Sequence, residues 1–244
     1  MRLPRIYTNQ PLTENLSIEL EAAPSRHLAR SLRMKPGDHL IVFNGKGGQY
    51  AAVVESVQRS TVNVTTNRFD AIERESKLSV TLGITVSRGD RMDWIVQKAT
   101  ELGVSGIVPL ISERCEVRLK GDRIEKKLNH WQQIIASACE QCGRNRLPSI
   151  QPPLAIEQWI NETDASLKLV LHHLAEEAVA LKDAPASIAL LIGPEGGLTN
   201  EEVDAATHAN FRAIRLGPRV MRTETAPIAA LTIVQSRWGD MTLV

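Results

Sequence analysis

The sequence has no apolar run of the roughly 18 to 20 residues that a membrane-spanning helix needs, although 43% of its 244 residues are hydrophobic. Its first residues, MRLPRIYTNQPL, have no apolar stretch of the kind found in signal peptides. Cysteine is scarce: Cys115, Cys139 and Cys142 are too few for a disulfide framework. These absences favour a globular protein of the reducing cytoplasm.

Neither positive nor negative charge is in excess, because the formal net charge is only +1. Its distribution is uneven, with nine Lys and Arg against six Asp and Glu in residues 1–70, and 20 against 22 in the remainder. A modestly basic first segment is compatible with a polyanionic partner. It is far below the charge of a dedicated nucleic-acid-binding domain.

Residues 1–70 have the pattern of a small β-barrel domain. The runs HLIVFNG, YAAVVESV and STVNVTTNRF are short, rich in β-branched residues and separated by turn signals. A short helix from Pro24 to Met34 is predicted before them, and it ends at the turn signal KPGD. Residues 71–77 are charged and lack strand patterning, which predicts a linker.

Residues 78–244 alternate apolar strand patterns with amphipathic helix patterns. LSVTLGITVS, VSGIVPLIS, LKLVLHH, SIALLIG and FRAIRLG are the strand-like runs. A helix is predicted from Asp90 to Leu102 with Gly103 after its end, and a longer one from Asp122 to Gly143. Such alternation predicts an α/β domain with a parallel sheet covered on both faces.

The stretch SIALLIGPEGGLTNEE ends a strand in a glycine-rich turn and starts a helix. It lacks the spacing of a P-loop or of a dinucleotide-binding motif. Thr199 is predicted to cap the helix with Glu202 at its third position. Because Glu201 and Glu202 occupy the positive end of the helix dipole, a phosphate is disfavoured there. The turn is better suited to a phosphate-free ligand that lies against bare backbone, with peptide groups pairing with an adenine edge.

A second turn of the same design follows in AIRLGPRVMRTETAPIAALTIVQ. Thr223 or Thr225 is predicted to cap its helix, which is apolar nearly all round and is therefore expected to be buried. Between Gly217 and that helix the charged residues Arg219, Arg222 and Glu224 occur. They indicate either a functional loop or a structural salt bridge, for example between Arg222 and Glu224.

Five motifs together resemble one protein family over essentially the whole chain. LLIGPEGGLTNEE and LGPRVMRTETA, preceded by QKATELGV, SERCEV and EQCGRNRLP, resemble the bacterial methyltransferases that modify N3 of a uridine in 16S ribosomal RNA. These are S-adenosylmethionine enzymes of the SPOUT class.

The resemblance implies an N-terminal PUA-like β-barrel that holds RNA and a C-terminal SPOUT α/β domain with a deep trefoil knot. It implies the cofactor S-adenosyl-L-methionine and the substrate 16S rRNA, with uridine 1498 as the family target in the assembled small subunit. It also implies a homodimer, and the methyl transfer itself requires no metal.

The resemblance implies a cofactor pocket, and the chemistry of N3 methylation suggests roles for the charged residues. Arg222 is expected to stabilise charge on the uracil, and Glu195 and Glu224 compete as proton acceptor. The implied cofactor pocket is formed by Leu171, His172, Ile192, Gly193, Pro194, Glu195, Gly196, Leu216, Gly217, Val220, Met221, Arg222, Thr225 and Ala226. The candidate RNA contacts are Arg5, Arg30, Arg33, Lys35, Arg144, Arg146 and Arg219.

Other interpretations of these residues remain open. The arginines near residue 30 suit a solvated helix face as well as an RNA contact, Arg144 and Arg146 suit a solvated loop, and Glu195 suits a purely structural role. Cys139 and Cys142 form a C-x-x-C pair without two further ligands at matching spacing, which favours packing over zinc. His172 and His173 are neighbours on a strand and point to opposite faces, so they are unsuited to sharing a metal.

Two alternative functions also remain open. One is a ribosome-assembly factor that keeps the fold and RNA binding without chemistry. The other is a methyltransferase of the same class that acts on transfer RNA.

Overall fold

The structure is a computed structural model that describes residues 3–117, 121–175 and 184–243. The chain forms two compact units. The first comprises the residues up to Glu75 together with Ala136–Leu147, and the second comprises Ser76–Ile135 and the residues from Pro148 onward. The first unit is therefore discontinuous in sequence.

The first unit is built on a five-stranded sheet in the order β1-β3-β4-β5-β2. The strands are β1 (Arg5–Tyr7), β2 (Ser17–Glu19), β3 (His39–Phe43), β4 (Gln49–Val57) and β5 (Val62–Asp70). β1 pairs with β3 in parallel and the other pairs are antiparallel. The alternating residues Leu40, Val42, Val62 and Val64 are fully buried in the core. The three strands that were predicted from their β-branched pattern are confirmed.

The helix predicted from Pro24 to Met34 is wrong in its extent. Helix α1 is Ala22–Arg26, and a π-helical turn follows at His27–Ser31. The amide of Leu32 donates to the carbonyl of His27, five residues earlier, which widens the turn. Arg33 lies beyond the turn at a φ of 52°. The arginines in this region therefore do not share the single α-helical face that their spacing predicted.

The segment Ala136–Leu147 is held in the first unit by buried polar contacts. The guanidinium of Arg5 donates to Oδ1 of Asn145 at 2.6 Å and to the carbonyl of Arg144 at 3.1 Å. Arg144 in turn pairs with Glu75 at 2.5 Å, with only 6% of its side chain exposed. A backbone amide of β1, that of Tyr7, donates to Glu140. These contacts join residues more than 60 positions apart in the sequence.

The second unit contains a seven-stranded sheet in which every pair is parallel. The order is β12-β10-β11-β6-β7-β8, with β9 also paired to β7. The strands are β6 (Ser79–Thr85), β7 (Gly106–Ile111), β8 (Ser149–Ile150), β9 (Leu154–Ala155), β10 (Leu167–Leu171), β11 (Ser187–Ile192) and β12 (Arg212–Ile214). All five strand-like runs predicted for this part of the chain form strands of the sheet.

Helices connect these strands as the alternating pattern predicted. They are α2 (Asp90–Glu101), α3 (Asp122–Cys142), α4 (Ile156–Glu162), α5 (Asn200–His208) and α6 (Thr225–Trp238). α2 buries Met92, Ile95, Val96 and Ala99, and its end is followed by Gly103 at a φ of 80°. The predicted mixed α/β fold with a parallel sheet is therefore confirmed. Within the described ranges, no helix is long and apolar enough to cross a membrane.

Two expectations for α6 are wrong. Glu224 occupies the N-cap position without a side-chain hydrogen bond, so neither Thr223 nor Thr225 caps the helix. The helix is also not buried all round, because 49% of Ile233 is exposed while Leu231 on the opposite side is fully buried.

Candidate active site

A cavity of about 670 Å³ lies at the carboxyl ends of β10, β11 and β12. These three strands are neighbours in the parallel sheet, so the loops that follow them meet at one edge. The wall consists of Arg91, Arg114, Leu171–His173, Ile192–Leu198, Ile214–Glu224 and Ala226. Both glycine turns identified in the sequence therefore face the same cavity. Of the predicted pocket residues only Thr225, an exposed residue at the start of α6, is absent from its wall.

The first turn follows β11 and has no room for a side chain at its first residue. A Cβ on Gly193 would lie 2.7 Å from Cγ of Leu198 and 3.1 Å from its backbone nitrogen. The helix that follows has the predicted capping box, in which Thr199 accepts from the amide of Glu202 at 3.2 Å and donates its own amide to that carboxylate at 2.9 Å. The capping box thereby pairs the amides of Thr199 and Glu202, as the sequence predicted.

The second turn follows β12 and begins with Gly217 at a φ of 74°, a conformation that favours glycine. After it, Arg222 and Glu224 both line the cavity. Their charged atoms lie 3.9 Å apart, with 83% of the Arg222 side chain and 21% of the Glu224 side chain exposed. Because the arginine is largely in solvent, the pair contributes little stability.

Two arginines of this site were not predicted from the sequence. Arg91, on the first turn of α2, pairs with Oε1 of Glu195 at 2.8 Å. Arg114, just after β7, donates to the carbonyl of Gly196 at 3.0 Å. Both lie in stretches whose role was not assigned, SRGDR and SERCEV. The available signal was their position directly after two strands of the parallel sheet.

His172 lies at the end of β10 and lines the cavity together with His173. The two imidazole rings meet edge to face with their centroids 5.2 Å apart. Burial, followed by the neighbouring His173, holds the pKa of His172 below its usual value of 6.5. Near neutral pH this side of the cavity therefore carries an uncharged imidazole.

The predicted RNA contacts fall into two groups by exposure. Arg30, Arg33, Lys35, Arg146 and Arg219 are exposed. Arg5 and Arg144 are 8% and 5% exposed and are hydrogen-bonded within the first unit. This geometry favours a structural role for these two residues over an RNA contact.

The cysteines are free thiols. Cys139 is fully buried near the end of α3, and a hydrogen bond with Cys142, followed by burial, raises its pKa. A thiol held in its neutral form suits packing better than metal binding. Among the described residues, no group of three or more His, Cys, Asp or Glu side chains could hold a metal ion.

The chain matches two family profiles, and it is similar to methyltransferases over nearly its whole length. Residues 74–235 match an RNA methyltransferase domain and residues 21–66 match an RNA methyltransferase PUA domain. The ribosomal RNA small subunit methyltransferase E of Buchnera aphidicola is 36% identical over 98% of both chains. This chain belongs to the RNA methyltransferase family.

Solved structures of family members agree with this assignment. The ribosomal RNA small subunit methyltransferase E of Neisseria gonorrhoeae, bound to S-adenosyl methionine, is 37% identical and superposes with a TM-score of 0.91, covering 99% of this chain and 100% of its own. A Legionella pneumophila protein solved in complex with the bound cofactor SAM is 38% identical, with a TM-score of 0.95 and the same coverage.

The comparisons confirm the predicted family and, with the two sheets, the predicted fold class of a PUA domain followed by a SPOUT-type α/β domain. Residues 176–183, which connect β10 to β11, lie outside the described residues. The trefoil knot stays a prediction.

Proposed function

We propose that this RNA methyltransferase transfers the methyl group of S-adenosyl-L-methionine to N3 of one uridine in 16S rRNA, uridine 1498 in the family numbering, within the assembled small subunit. The observation that carries the proposal is the cavity in which two glycine turns and the Arg222–Glu224 loop face each other. The names of the relatives, and the cofactor bound in two of them, support the same reaction.

The cavity fits a phosphate-free adenosyl ligand. Its volume lies within the about 300 to 1,000 Å³ typical of small-molecule sites. Gly193 and Gly217 expose backbone on two sides, and peptide groups there suit the edge of an adenine ring. The first turn offers no phosphate site, since the capping box already uses the amides of Thr199 and Glu202. S-adenosylmethionine carries no phosphate and supplies an activated methyl group when bound.

The charged residues of the second turn are proposed to prepare the uracil. N3 of uridine is protonated at neutral pH and becomes nucleophilic only when that proton leaves. Arg222 is in a position to stabilise negative charge that spreads to the uracil oxygens. Glu224 and Glu195 both line the cavity and are the candidate proton acceptors. The reaction needs no metal, and none is proposed.

The target base must leave its pairing partner, because N3 lies on its Watson–Crick edge. The exposed residues Arg30, Arg33, Lys35, Arg146 and Arg219 are proposed to contact RNA phosphates. The division into a barrel (1–70), a linker (71–77) and a catalytic domain (78–244) also remains a proposal, as does the cytoplasmic location.

The chain is further proposed to act as a homodimer through α6. Exposed apolar area supports this, since Ile233 on α6 and Trp94 on α2 are 49% and 42% exposed. Substituting Ile233→Glu is expected to shift the protein to a monomer in light scattering, because a charge would be buried at the contact.

The decisive test uses small subunits from cells that lack this modification. They are incubated with the protein and labelled S-adenosylmethionine, and the RNA is digested to nucleosides for mass spectrometry. Label in 3-methyluridine is expected, and none is expected with large subunits. Free 16S rRNA in a parallel reaction tests whether the assembled subunit is the substrate.

A matched pair of variants connects the reaction to the cavity. Arg222→Ala is expected to lower kcat about a hundredfold or more. The control is Arg212→Ala on β12: Arg212 is exposed and does not line the cavity, so kcat should be unchanged. A protein that bound RNA but no S-adenosylmethionine in calorimetry would instead be an assembly factor. Product in transfer RNA but not in small subunits would identify the other alternative.

A further inference from the structure

Two neighbouring strands supply residues that hold the first glycine turn from outside. β6 lies between β11 and β7 in the parallel sheet, so the residues after β6 and β7 reach the turn that follows β11. Arg91, after β6, contacts the side chain of Glu195 at 2.8 Å, and Arg114, after β7, contacts the carbonyl of Gly196 at 3.0 Å. Consecutive residues of the turn are therefore held by separate arginines.

The segment that contains Arg114 also holds the far end of the turn. The amide of Glu113 donates to Oε1 of Glu202 at 2.9 Å, and the other carboxylate oxygen of Glu202 accepts from the amide of Thr199. Glu202 is 5% exposed, so this bridge is shielded from water. The stem of Arg114 packs against Gly196, at 3.5 Å from where a Cβ would lie.

The Arg91 contact bears on the role of Glu195. Its carboxylate is directed to a guanidinium by an ion pair. This contact gives Oε1 of Glu195 a short, defined partner on α2, outside the turn. Glu224 has a longer contact, 3.9 Å, to an arginine that is itself 83% exposed. The geometry therefore separates the two candidate proton acceptors.

We propose that Arg91 and Arg114 are positioning residues that hold the turn Gly193–Gly197 in its cofactor-binding shape, and that Glu195 is the anchor for Arg91 and not the proton acceptor. This inference rests on the proposed function. The stretches SRGDR and SERCEV thereby gain a structural role, and Glu224 is the carboxylate that receives the proton from N3 of the uridine.

The sign of the effect on cofactor affinity distinguishes this role from simple electrostatics. S-adenosylmethionine carries one net positive charge, so removing an arginine near the cavity would by charge alone tighten its binding. Loss of a positioning contact weakens binding instead. Arg88 is the matched control, because it follows the same strand and pairs with Glu116 at 3.0 Å but does not line the cavity.

Calorimetry with S-adenosylmethionine and full-length protein is the first measurement. Arg91→Ala, Glu195→Gln and Arg114→Ala are each expected to raise Kd about three- to fivefold, the range of a partly exposed charged contact. Arg91→Lys is expected to keep most of the wild-type affinity, and Arg88→Ala is expected to leave Kd unchanged. The double variant of Arg91→Ala and Glu195→Gln binds no more weakly than either single variant, because both remove the same contact.

Kinetics and hydrogen exchange make the test independent of affinity. At saturating cofactor, Glu224→Gln is expected to lower kcat far more than Glu195→Gln, because only Glu224 receives the proton from N3. Amide exchange in residues 192–199 without cofactor is expected to speed up in the Arg91→Ala and Arg114→Ala variants while the rest of the chain is unchanged, which shows that these variants fold.

The outcomes separate this inference from the proposed function. A hundredfold loss of kcat in Glu195→Gln with unchanged Kd would identify Glu195 as the proton acceptor and overturn the inference. Unchanged or tighter Kd in both arginine variants, or additive losses in the double variant, would also overturn it. If the wild-type protein neither bound S-adenosylmethionine nor formed 3-methyluridine, the proposed function itself would fail.

Discussion

Gly193 and Gly196 lie three residues apart in the same turn, but only one of them lacks space for a side chain. A Cβ at Gly193 would lie 2.7 Å from Leu198, a buried residue, whereas at Gly196 the nearest atoms belong to the flexible Arg114 side chain at 3.5 Å. Of these two glycines, only Gly193 is therefore required for steric reasons.

Gly193→Ala is expected to displace Leu198 and the turn, which costs about 1 to 3 kcal/mol of unfolding free energy and weakens cofactor binding about tenfold or more. Gly196→Ala is the control, and both quantities should change little. Urea unfolding and calorimetry measure them. Equal effects of the two substitutions would contradict the steric argument.

We expect His172 to make cofactor binding depend on pH. Its pKa is lowered below 6.5, chiefly by burial and then by His173, so it is neutral at pH 7 and gains a charge as the pH falls. As the pH falls from 8 to 5, the imidazolium should repel the cationic cofactor and raise Kd about three- to tenfold. The same depressed pKa means that any stability it contributes is present above pH 6.5 and is lost as the pH falls through the folded-state value.

The pH dependence has a direct control. His172→Gln should remove most of this change in Kd, while His208→Gln, on an exposed histidine of α5 outside the cavity, should not. Calorimetry at several pH values measures the effect. A midpoint above 6.5 in the wild-type protein would show that burial is not the dominant influence on His172.

At the scale of elements, the start of α5 joins a helix cap to a neighbouring loop. Thr199 is 4% exposed, and its hydroxyl accepts the amide of Glu202 at 3.2 Å. The sequence predicted this cap correctly because Thr-x-x-Glu is a local pattern. It did not predict that the carboxylate of Glu202 also accepts the amide of Glu113, a contact between residues 89 positions apart.

Thr199→Ala should therefore cost about 1 to 2 kcal/mol of unfolding free energy, the upper part of the range for helix caps, because the amide it leaves unpaired is buried. Thr199→Ser keeps the hydroxyl and should recover most of the loss. Urea unfolding of both variants provides the measurement. Equal destabilisation by the two substitutions would indicate packing of the threonine methyl group instead.

Other elements show where local patterns are insufficient. The residues before Met34 have helical spacing, but the π-helical turn at His27–Ser31 depends on the hydrogen bond that Leu32 makes. The apolar composition of α6 predicted burial all round, whereas the chain covers only the side that contains Leu231. In both cases the local sequence correctly indicates a helix, but contacts with the rest of the chain determine the helix type and which side is buried.

At the scale of the whole molecule, the first unit is incomplete without a distant segment. Its sheet ends by Asp70, but Ala136–Leu147 belongs to the same compact unit. Arg144 and Asn145 supply partners to Glu75 and Arg5, and these groups are largely buried. Unpaired buried charges cost several kcal/mol, so this segment is needed for stability.

Residues 1–77 expressed alone are therefore expected to lack a cooperative thermal transition, because buried Arg5 keeps Gln49 but loses its contacts to Arg144 and Asn145, and Glu75 loses Arg144. In the full chain, Arg144→Ala should cost about 2 to 4 kcal/mol, less than a fully buried pair because Glu75 keeps some contact with water. Calorimetry and NMR of the fragment test this. A well-dispersed spectrum and a cooperative melt would show that the barrel is an independent domain.

The sequence alone determined the type and order of most elements, the two glycine turns, the cap at Thr199 and the family. Each of these depends on neighbouring residues or on motifs that lie within a few positions of each other. Tertiary structure decided that Arg91 and Arg114 contact one turn, that Arg5 and Arg144 are buried, and that Ala136–Leu147 completes the first unit. Those contacts depend on which distant segments of the chain come together, and that pairing is non-local and leaves no periodic pattern in the sequence.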